Sequence, residues 1–537
     1  MKDRRERTGN ETDKNIIEER PATEEEHAKT LSQKLRIPFL DLGNYIVDPA
    51  VVGILNEDVA RRLLVLPLYI IKDTLTIAMA DPMDIYALDA VRAISKFKSI
   101  QVMAATKSAI LKCIEQNYIS GKSLEDIIKR SESDATISPP TSRAEVDTLA
   151  NLTEHAPVVK FVNEMILDAL KSRASDIHVE PYQDNVRVRF RIDGMLHTVI
   201  SVPKELNLPI VPRIKILAQM DIAENRRPQD GRFTVNVAGR PVDLRVATFP
   251  LVYGESVSVR LLDKARIREI GELGLSQNTC MKFERSVTSS HGIILISGPT
   301  GSGKTTTLYA ILKKIGSPEK NIHTIEDPIE YLMDYVNQSQ VNPHAGLTFA
   351  TALRSFLRHN PDVLMVGEIR DQETAEIAFR AALTGHLILS TLHTYDAPTA
   401  VSRLKDLGID KNLLSSSMVC VLAQRLVRIV CSSCREEYYP EKTVLNDLKS
   451  PFDLNGKFYR GRGCEECKGT GYKGRIGIFE LLEFTDEIKN LIMEGAPLEE
   501  IKKMAMKSGM KLLEDDGLEK VKQEITTGEE VMRVTRR

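Results

Sequence analysis

One segment limits the folds open to this chain more than any other. Gly292-Ile293-Ile294-Leu295-Ile296-Ser297 is an apolar run of strand length that leads directly into Gly298-Pro299-Thr300-Gly301-Ser302-Gly303-Lys304-Thr305, and a helical segment follows from Thr306. Glycines and a lysine at this spacing, between a strand and a helix, match the phosphate-binding loop of the Walker A type. In such a loop the backbone N–H groups turn inward around phosphate oxygens, and the helix N-terminus adds partial positive charge. Gly298 to Thr306 are therefore the expected nucleotide contacts, with Lys304 on the β- and γ-phosphates. The Thr305 hydroxyl is placed for Mg²⁺, an ion that usually keeps waters alongside substrate phosphates. A glycine-rich loop without chemistry is the plain alternative, but glycine is only about 7% of an average protein and the strand-then-helix context is an additional demand. From about Gly271 onward, apolar strand runs alternate with helical segments, the pattern of a parallel sheet flanked by helices.

Three further elements downstream each border an apolar run. Ile322 to Ile325 leads into Glu326-Asp327-Pro328-Ile329-Glu330, placing three carboxylates where a strand leaves the sheet. Ligands gather at the carboxyl ends of strands in open α/β sheets. Val363 to Val366 leads into Gly367-Glu368, similar to a Walker B strand with Glu at the metal position. His386 and His393 bracket the run Leu387 to Leu392, where an imidazole can sense a γ-phosphate.

The chain has 537 residues, enough for about three or four domains. Lys plus Arg total 73 against 75 for Asp plus Glu, so the net charge of −2 leaves no global footprint for nucleic acid, and DNA binding would need a local patch. The apolar run Leu63 to Ile71 falls well short of the roughly 20 residues that span a bilayer, and the charged start lacks a signal-peptide core. A cytoplasmic location is expected. Residues 1–26 are charged and carry few apolar groups, so a disordered head is expected there. A small α+β domain is expected over 27–120, then a linker over 121–153 rich in Ser, Thr and Pro. A further α+β domain is expected over 154–265. In it, Val186-Arg187-Val188-Arg189-Phe190-Arg191-Ile192 alternates strictly, with Asp193-Gly194 as a hairpin turn and a second turn signal at Asp230-Gly231.

Of seven cysteines, Cys431, Cys434, Cys464 and Cys467 form two C-x-x-C pairs separated by about thirty residues, the tetrahedral thiolate set that Zn²⁺ prefers. A redox role needs only one such pair. Cys113, Cys280 and Cys420 stand apart and are expected to be buried.

Taken in order, these motifs resemble the Walker A, Asp box, Walker B and His box of the secretion and type IV pilus assembly ATPases. The resemblance covers about residues 155–537 and begins with Ser175-Asp176-Ile177-His178-Val179-Glu180-Pro181. It implies a RecA-like P-loop motor at 268–537 that includes a zinc subdomain at 425–480, preceded by a PAS-like α+β domain and a small amino-terminal α+β domain. It also implies that Glu330 orients or activates the attacking water and that Glu368 holds the Mg²⁺ shell, with the choice among Glu326, Asp327 and Glu330 open. His393 joins them as a catalytic-site residue. In this family the preceding domain contributes arginines to the nucleotide; Arg189, Arg191 and Arg232 are the candidates, against the plain reading of a solvated strand face. The zinc module is similar to that of type II secretion and pilus-extension ATPases. Ile37-Pro38-Phe39-Leu40-Asp41-Leu42 and Ala80-Asp81-Pro82 look like the second part of the family's amino-terminal domain. Relatives that bind cyclic di-GMP carry Arg-Leu-Gly repeats ahead of this region; the head here has none, so docking to an inner-membrane platform protein is expected instead. The resemblance implies a homo-hexameric ATPase acting at the inner face of the membrane in type II secretion or pilus assembly. The alternatives are a DNA-uptake or conjugation motor on the same core and a regulatory nucleotide-binding protein.

Overall fold

The computed structural model describes residues 23–118, 156–263, 267–439 and 458–536. The chain divides into two compact units, Met1–Lys264 and Ala265–Arg537. The expected linker lies outside the described residues, as does most of the charged head. The end of that head needs a correction: a helix begins at Glu24 rather than after residue 26. Thr23 and Glu26 form a reciprocal capping box, with the Thr23 N–H on the Glu26 carboxylate at 2.8 Å and the Glu26 N–H on the Thr23 hydroxyl at 3.3 Å. The box satisfies N–H groups that the first turn otherwise leaves unpaired.

In the first unit, β1 (Tyr45–Ile46) is followed by β2 (Val65–Ile71), β3 (Thr74–Met79) and β4 (Ser99–Ala104). β2, β3 and β4 form a small sheet, antiparallel then parallel, with apolar clusters around Leu66 and Ile110 and around Val65 and Val91. β1 is not part of that sheet and pairs parallel with a strand of the larger one. The larger sheet adds β5 (Ala174–Pro181), β6 (Asn185–Ile192), β7 (Met195–Pro203), β8 (Gln229–Val237), β9 (Arg240–Leu251) and β10 (Gly254–Asp263) in the order β1-β8-β9-β10-β5-β6-β7. β6 is the alternating segment: Val186, Val188 and Phe190 enter the core with the helix Ala156–Lys171, leaving Arg187, Arg189 and Arg191 to the opposite face. Asp193 and Gly194, at φ 49° and 89°, make the expected turn into β7. Asp230-Gly231 is not the expected turn, since both residues lie inside β8. Gly231 is there for close approach: a Cβ would come within 2.4 Å of the Ala218 carbonyl.

The second unit contains β11 (Gly292–Ser297), β12 (Ile322–Glu326), β13 (Asn337–Gln340), β14 (Val363–Val366), β15 (Leu387–Leu392), β16 (Met418–Val430), the hairpin β17 (Arg435–Tyr438) and β18 (Phe458–Gly461), and β19 (Tyr472–Glu483). The main sheet runs β13-β12-β14-β15-β11-β16-β19, parallel except for the antiparallel pair β16–β19. β11, β14 and β15 are buried along their whole length, which is why they read as unbroken apolar runs. Ile293 and Leu295 enter one core and Ile294 and Ile296 another. Cys113 and Cys420 are buried as expected, but Cys280, on the helix Gln277–Val287, is only half-buried. Among the described residues, no helix is long and apolar enough to cross a membrane.

Candidate functional site

β12, β14, β15 and β11 are neighbours and run parallel, so their carboxyl ends open on one edge of the sheet. Except for His386, the residues that the sequence singles out in the second unit for nucleotide chemistry leave from that edge. β11 stops at Ser297, and Gly298 to Gly303 turn into the helix Lys304–Ile315. Gly301 and Gly303 have φ 78° and 88°, in the left-handed region where a side chain is strained. The Lys304 ammonium is held within its own loop, donating to the carbonyls of Gly298 at 2.7 Å and Pro299 at 3.1 Å. Burial pushes its pKa down to about 8, against the opposing pull of the Glu368 carboxylate. Ser302 is buried, whereas Thr305 and Thr306 are exposed on the first helical turn.

Glu368 follows β14 and His393 follows β15. One Glu368 oxygen accepts from Arg370 at 2.5 Å, and the other lies 3.7 Å from His393 Nε2. The Arg370 hydrogen bond holds the Glu368 carboxyl below its ordinary range, and the fields of His393 and Lys304 act in the same direction. Burial, then the field of Lys304, lowers the His393 pKa, so its imidazole is neutral near pH 7. Lys304, Glu368 and His393 thus share one electrostatic neighbourhood. His386 does not join them: it precedes β15 at the opposite edge, with Nδ1 2.9 Å from the Ala381 carbonyl.

The three carboxylates after Ile325 have different surroundings. Glu326 is 3% exposed and accepts from the hydroxyls of Tyr309 at 2.5 Å and Thr324 at 2.6 Å and from the Gln338 amide at 3.1 Å. With its oxygens occupied by donors, it is an anchor beneath the loop. Asp327 is exposed and Glu330 half-buried.

Sequence reasoning missed four residues of this edge. Arg370 restrains Glu368, and Tyr309 reaches Glu326. Gln424 is 2% exposed; its amide donates to the Ser302 carbonyl at 2.7 Å and accepts from the Thr307 hydroxyl at 2.8 Å. The neighbouring Arg425 donates to the Tyr395 carbonyl at 2.5 Å. The available signal was a polar pair, Gln424-Arg425, inside the otherwise apolar run Met418 to Val427 of β16.

In the first unit, register aligns Arg232, Arg245, Arg260, Asp176 and Arg191 in one row across the sheet. Asp176, from the Ser-Asp-Ile-His segment, accepts from Arg260 at 2.9 Å and lies 3.6 Å from Arg191. Arg189 pairs with Glu180 at 2.6 Å, and Arg232 is exposed.

The four paired cysteines converge. Their sulfurs all lie within 4.8 Å of one another, with Cys431–Cys464, Cys434–Cys467 and Cys464–Cys467 at 3.9, 3.8 and 3.7 Å. A tetrahedral Zn²⁺ with sulfur ligands at about 2.3 Å requires sulfur–sulfur edges of about 3.8 Å, so the set fits that ion. Disulfides, at about 2.0 Å, do not fit. Backbone N–H groups of Gly463, Cys464 and Gly471 point at the sulfurs of Cys434 and Cys467 at 3.1 to 3.3 Å, which suits thiolates.

The family model described as "Type II/IV secretion system protein" matches residues 151–533, and the MshEN domain model matches residues 35–124. The type IV pilus assembly ATPase PilB of Myxococcus xanthus is 42% identical over 509 residues, which is 94% of this chain and 89% of that protein. The type II secretion system ATPase E of Vibrio cholerae is 47% identical over 395 residues, 73% of this chain and 78% of that one. Among solved structures, the ATPase DotB of Legionella pneumophila shares the fold, with a TM-score of 0.53 at 22% identity over 70% of this chain and 95% of its own. With a P-loop ordered at the sheet edge and a family match along most of its length, this chain belongs to the type II/IV secretion system protein family and is one of its ATPases.

Proposed function

We propose that this chain is a RecA-like, hexameric motor that couples ATP hydrolysis to type II secretion or type IV pilus assembly at the inner face of the cytoplasmic membrane. One observation carries the reading: a single sheet edge presents Lys304, Glu368 and His393 within one field, with the loop of Glu330 leaving the adjacent strand. Phosphoryl transfer needs positioning and charge stabilisation more than covalent help. Lys304 and the loop N–H groups hold the β- and γ-phosphates. Glu330 orients the attacking water; its rival Glu326 is occupied as an anchor. His393 senses the γ-phosphate beside Glu368. Mg²⁺, when bound, neutralises the developing phosphate charge, with Thr305 and the ionised Glu368 as the residues that hold its shell. The PAS-like domain supplies arginines, Arg232 foremost because it is exposed while Arg189 and Arg191 face carboxylates. The four cysteines hold one structural Zn²⁺. The amino-terminal domain docks on an inner-membrane platform protein.

Steady-state hydrolysis by the wild type and Glu368→Gln tests this reading. The wild type turns over ATP; the variant binds it with near-wild-type affinity and turns over about a hundredfold more slowly or less. A zinc-loaded wild type that binds ATP without hydrolysing it shifts the account to a nucleotide-gated regulator.

A further inference from the structure

We infer that Tyr309 is a positioning residue for the hydrolytic step, tying the helix that carries the phosphate-binding lysine to the loop that carries Glu330. The inference rests on the reading of Glu330 given above and adds the device that sets its place. Tyr309 lies five residues after Lys304 on the same helix, and it is 1% exposed. Its hydroxyl donates to Glu326 at 2.5 Å and accepts from the backbone N–H groups of Glu330 at 3.2 Å and Tyr331 at 3.3 Å. Its ring meets the Tyr331 ring edge-on, with centroids 5.3 Å apart. One phenol oxygen therefore joins three parts: the Lys304 helix, the buried carboxylate that ends β12, and the backbone at Glu330.

Gln338 braces the same node from the adjacent strand, donating to Glu326 at 3.1 Å and to the Tyr331 carbonyl at 2.8 Å. Glu326 gives the hydroxyl a fixed direction, because a buried carboxylate accepts and cannot donate. With its proton committed there, the oxygen's lone pairs accept from the two backbone N–H groups, with the Gln338 amide farther off at 3.4 Å. A shift of the Lys304 helix therefore reaches Glu330 through two backbone hydrogen bonds. Misplacing a group by about 1 Å can cost a hundredfold in rate, so loss of this tie reads out in kcat.

Tyr309→Phe removes the hydroxyl and keeps the ring contact. Its kcat is expected to fall about tenfold, while KM, ATP stoichiometry and ATP affinity stay within twofold of wild type. In single turnovers under excess enzyme, Tyr309→Phe combined with Glu330→Gln is expected to be no slower than Glu330→Gln alone, because the tyrosine acts through that residue. A purely structural role would instead lower binding stoichiometry and slow both backgrounds equally. Wild-type kcat in Tyr309→Phe, or a full further loss in the double variant, overturns the positioning role. Wild-type turnover in Glu330→Gln overturns the reading of Glu330 itself, and the tie to it along with it. If Glu330→Gln is inactive and Tyr309→Phe keeps the wild-type kcat, only the tie falls.

Discussion

Lys304 has to carry a positive charge in a place that disfavours one. Burial lowers its pKa to about 8 from the usual 10.5, so the folded protein binds fewer protons at this site than the unfolded chain between those values. Stability from this group therefore rises with pH across that window, and below about pH 8 the charged form is held at a cost. Nucleotide binding runs the other way, since phosphate recruits the ammonium. At pH 9 about a tenth of a lysine with a pKa near 8 is charged, so ATP affinity is expected to fall about tenfold from pH 7 to pH 9. His393 is neutral and Glu368 ionised throughout that range, so neither contributes to the change. Calorimetry in two buffers of different ionisation enthalpy checks this: proton uptake on binding should approach one per ATP near pH 9. Affinity that is flat with pH would mean that Lys304 stays charged without nucleotide.

At the scale of elements, the features legible in the sequence are those written in contiguous residues. The P-loop is a single run from Gly292 to Thr306, β6 announces itself by strict alternation, and the cysteine pairs by their spacing. Asp230-Gly231 misled because the same dipeptide serves a turn and a point of close packing, and only the neighbouring Ala218 carbonyl distinguishes them. Tyr309 and Gln424 were not legible for a different reason. Their partners lie 17 to 29 residues away for Tyr309 and 117 to 122 for Gln424, so no local pattern names those partners, even where the Gln424-Arg425 pair stands out in its strand. The cysteine module yields a prediction at this scale. Cys431 and Cys434 lie between β16 and β17, and Cys464 and Cys467 between β18 and β19, so a bound ion ties both ends of the hairpin to the antiparallel edge of the sheet. Structural zinc contributes its binding energy to folding. Cys464→Ser with Cys467→Ser is expected to abolish zinc and lower the melting temperature by about 5–10 °C. ATP affinity should hold, because Gln424 grips the P-loop from a stretch of β16 next to β11. Metal analysis and a melting curve on the same sample decide it, and unchanged melting after zinc loss would leave the module without a folding role.

For the whole molecule, the question is what the arginine row of the first unit meets. Overall charge is close to balanced, so a polyanion finds no general attraction, but Arg191, Arg232, Arg245 and Arg260 against the single Asp176 make a local basic stripe. A stripe of this kind suits either a phosphate developing charge on ATP or the backbone of a nucleic acid, and the two uses differ in what salt and mutation do. An arginine that meets the transferring phosphate stabilises the transition state more than the bound substrate, so Arg232→Ala is expected to lower kcat about a hundredfold while ATP affinity holds. In the proposed hexamer a neighbouring subunit completes the site, so wild-type activity per chain should rise with protein concentration, and the variant should assemble over the same range without recovering its rate. A nucleic-acid motor gives the opposite pattern. DNA affinity would then fall steeply as salt rises, Arg232→Ala would reduce the logarithmic salt slope by about one, and hydrolysis without DNA would be little affected by the substitution. Titrating the wild type and Arg232→Ala with duplex and single-stranded DNA at several salt concentrations, beside ATPase rates on the same preparations, separates the two. A variant slow on ATP with a wild type indifferent to DNA keeps the arginines at the nucleotide, whereas a variant with the wild-type ATPase rate and a weaker salt slope moves them to the nucleic acid.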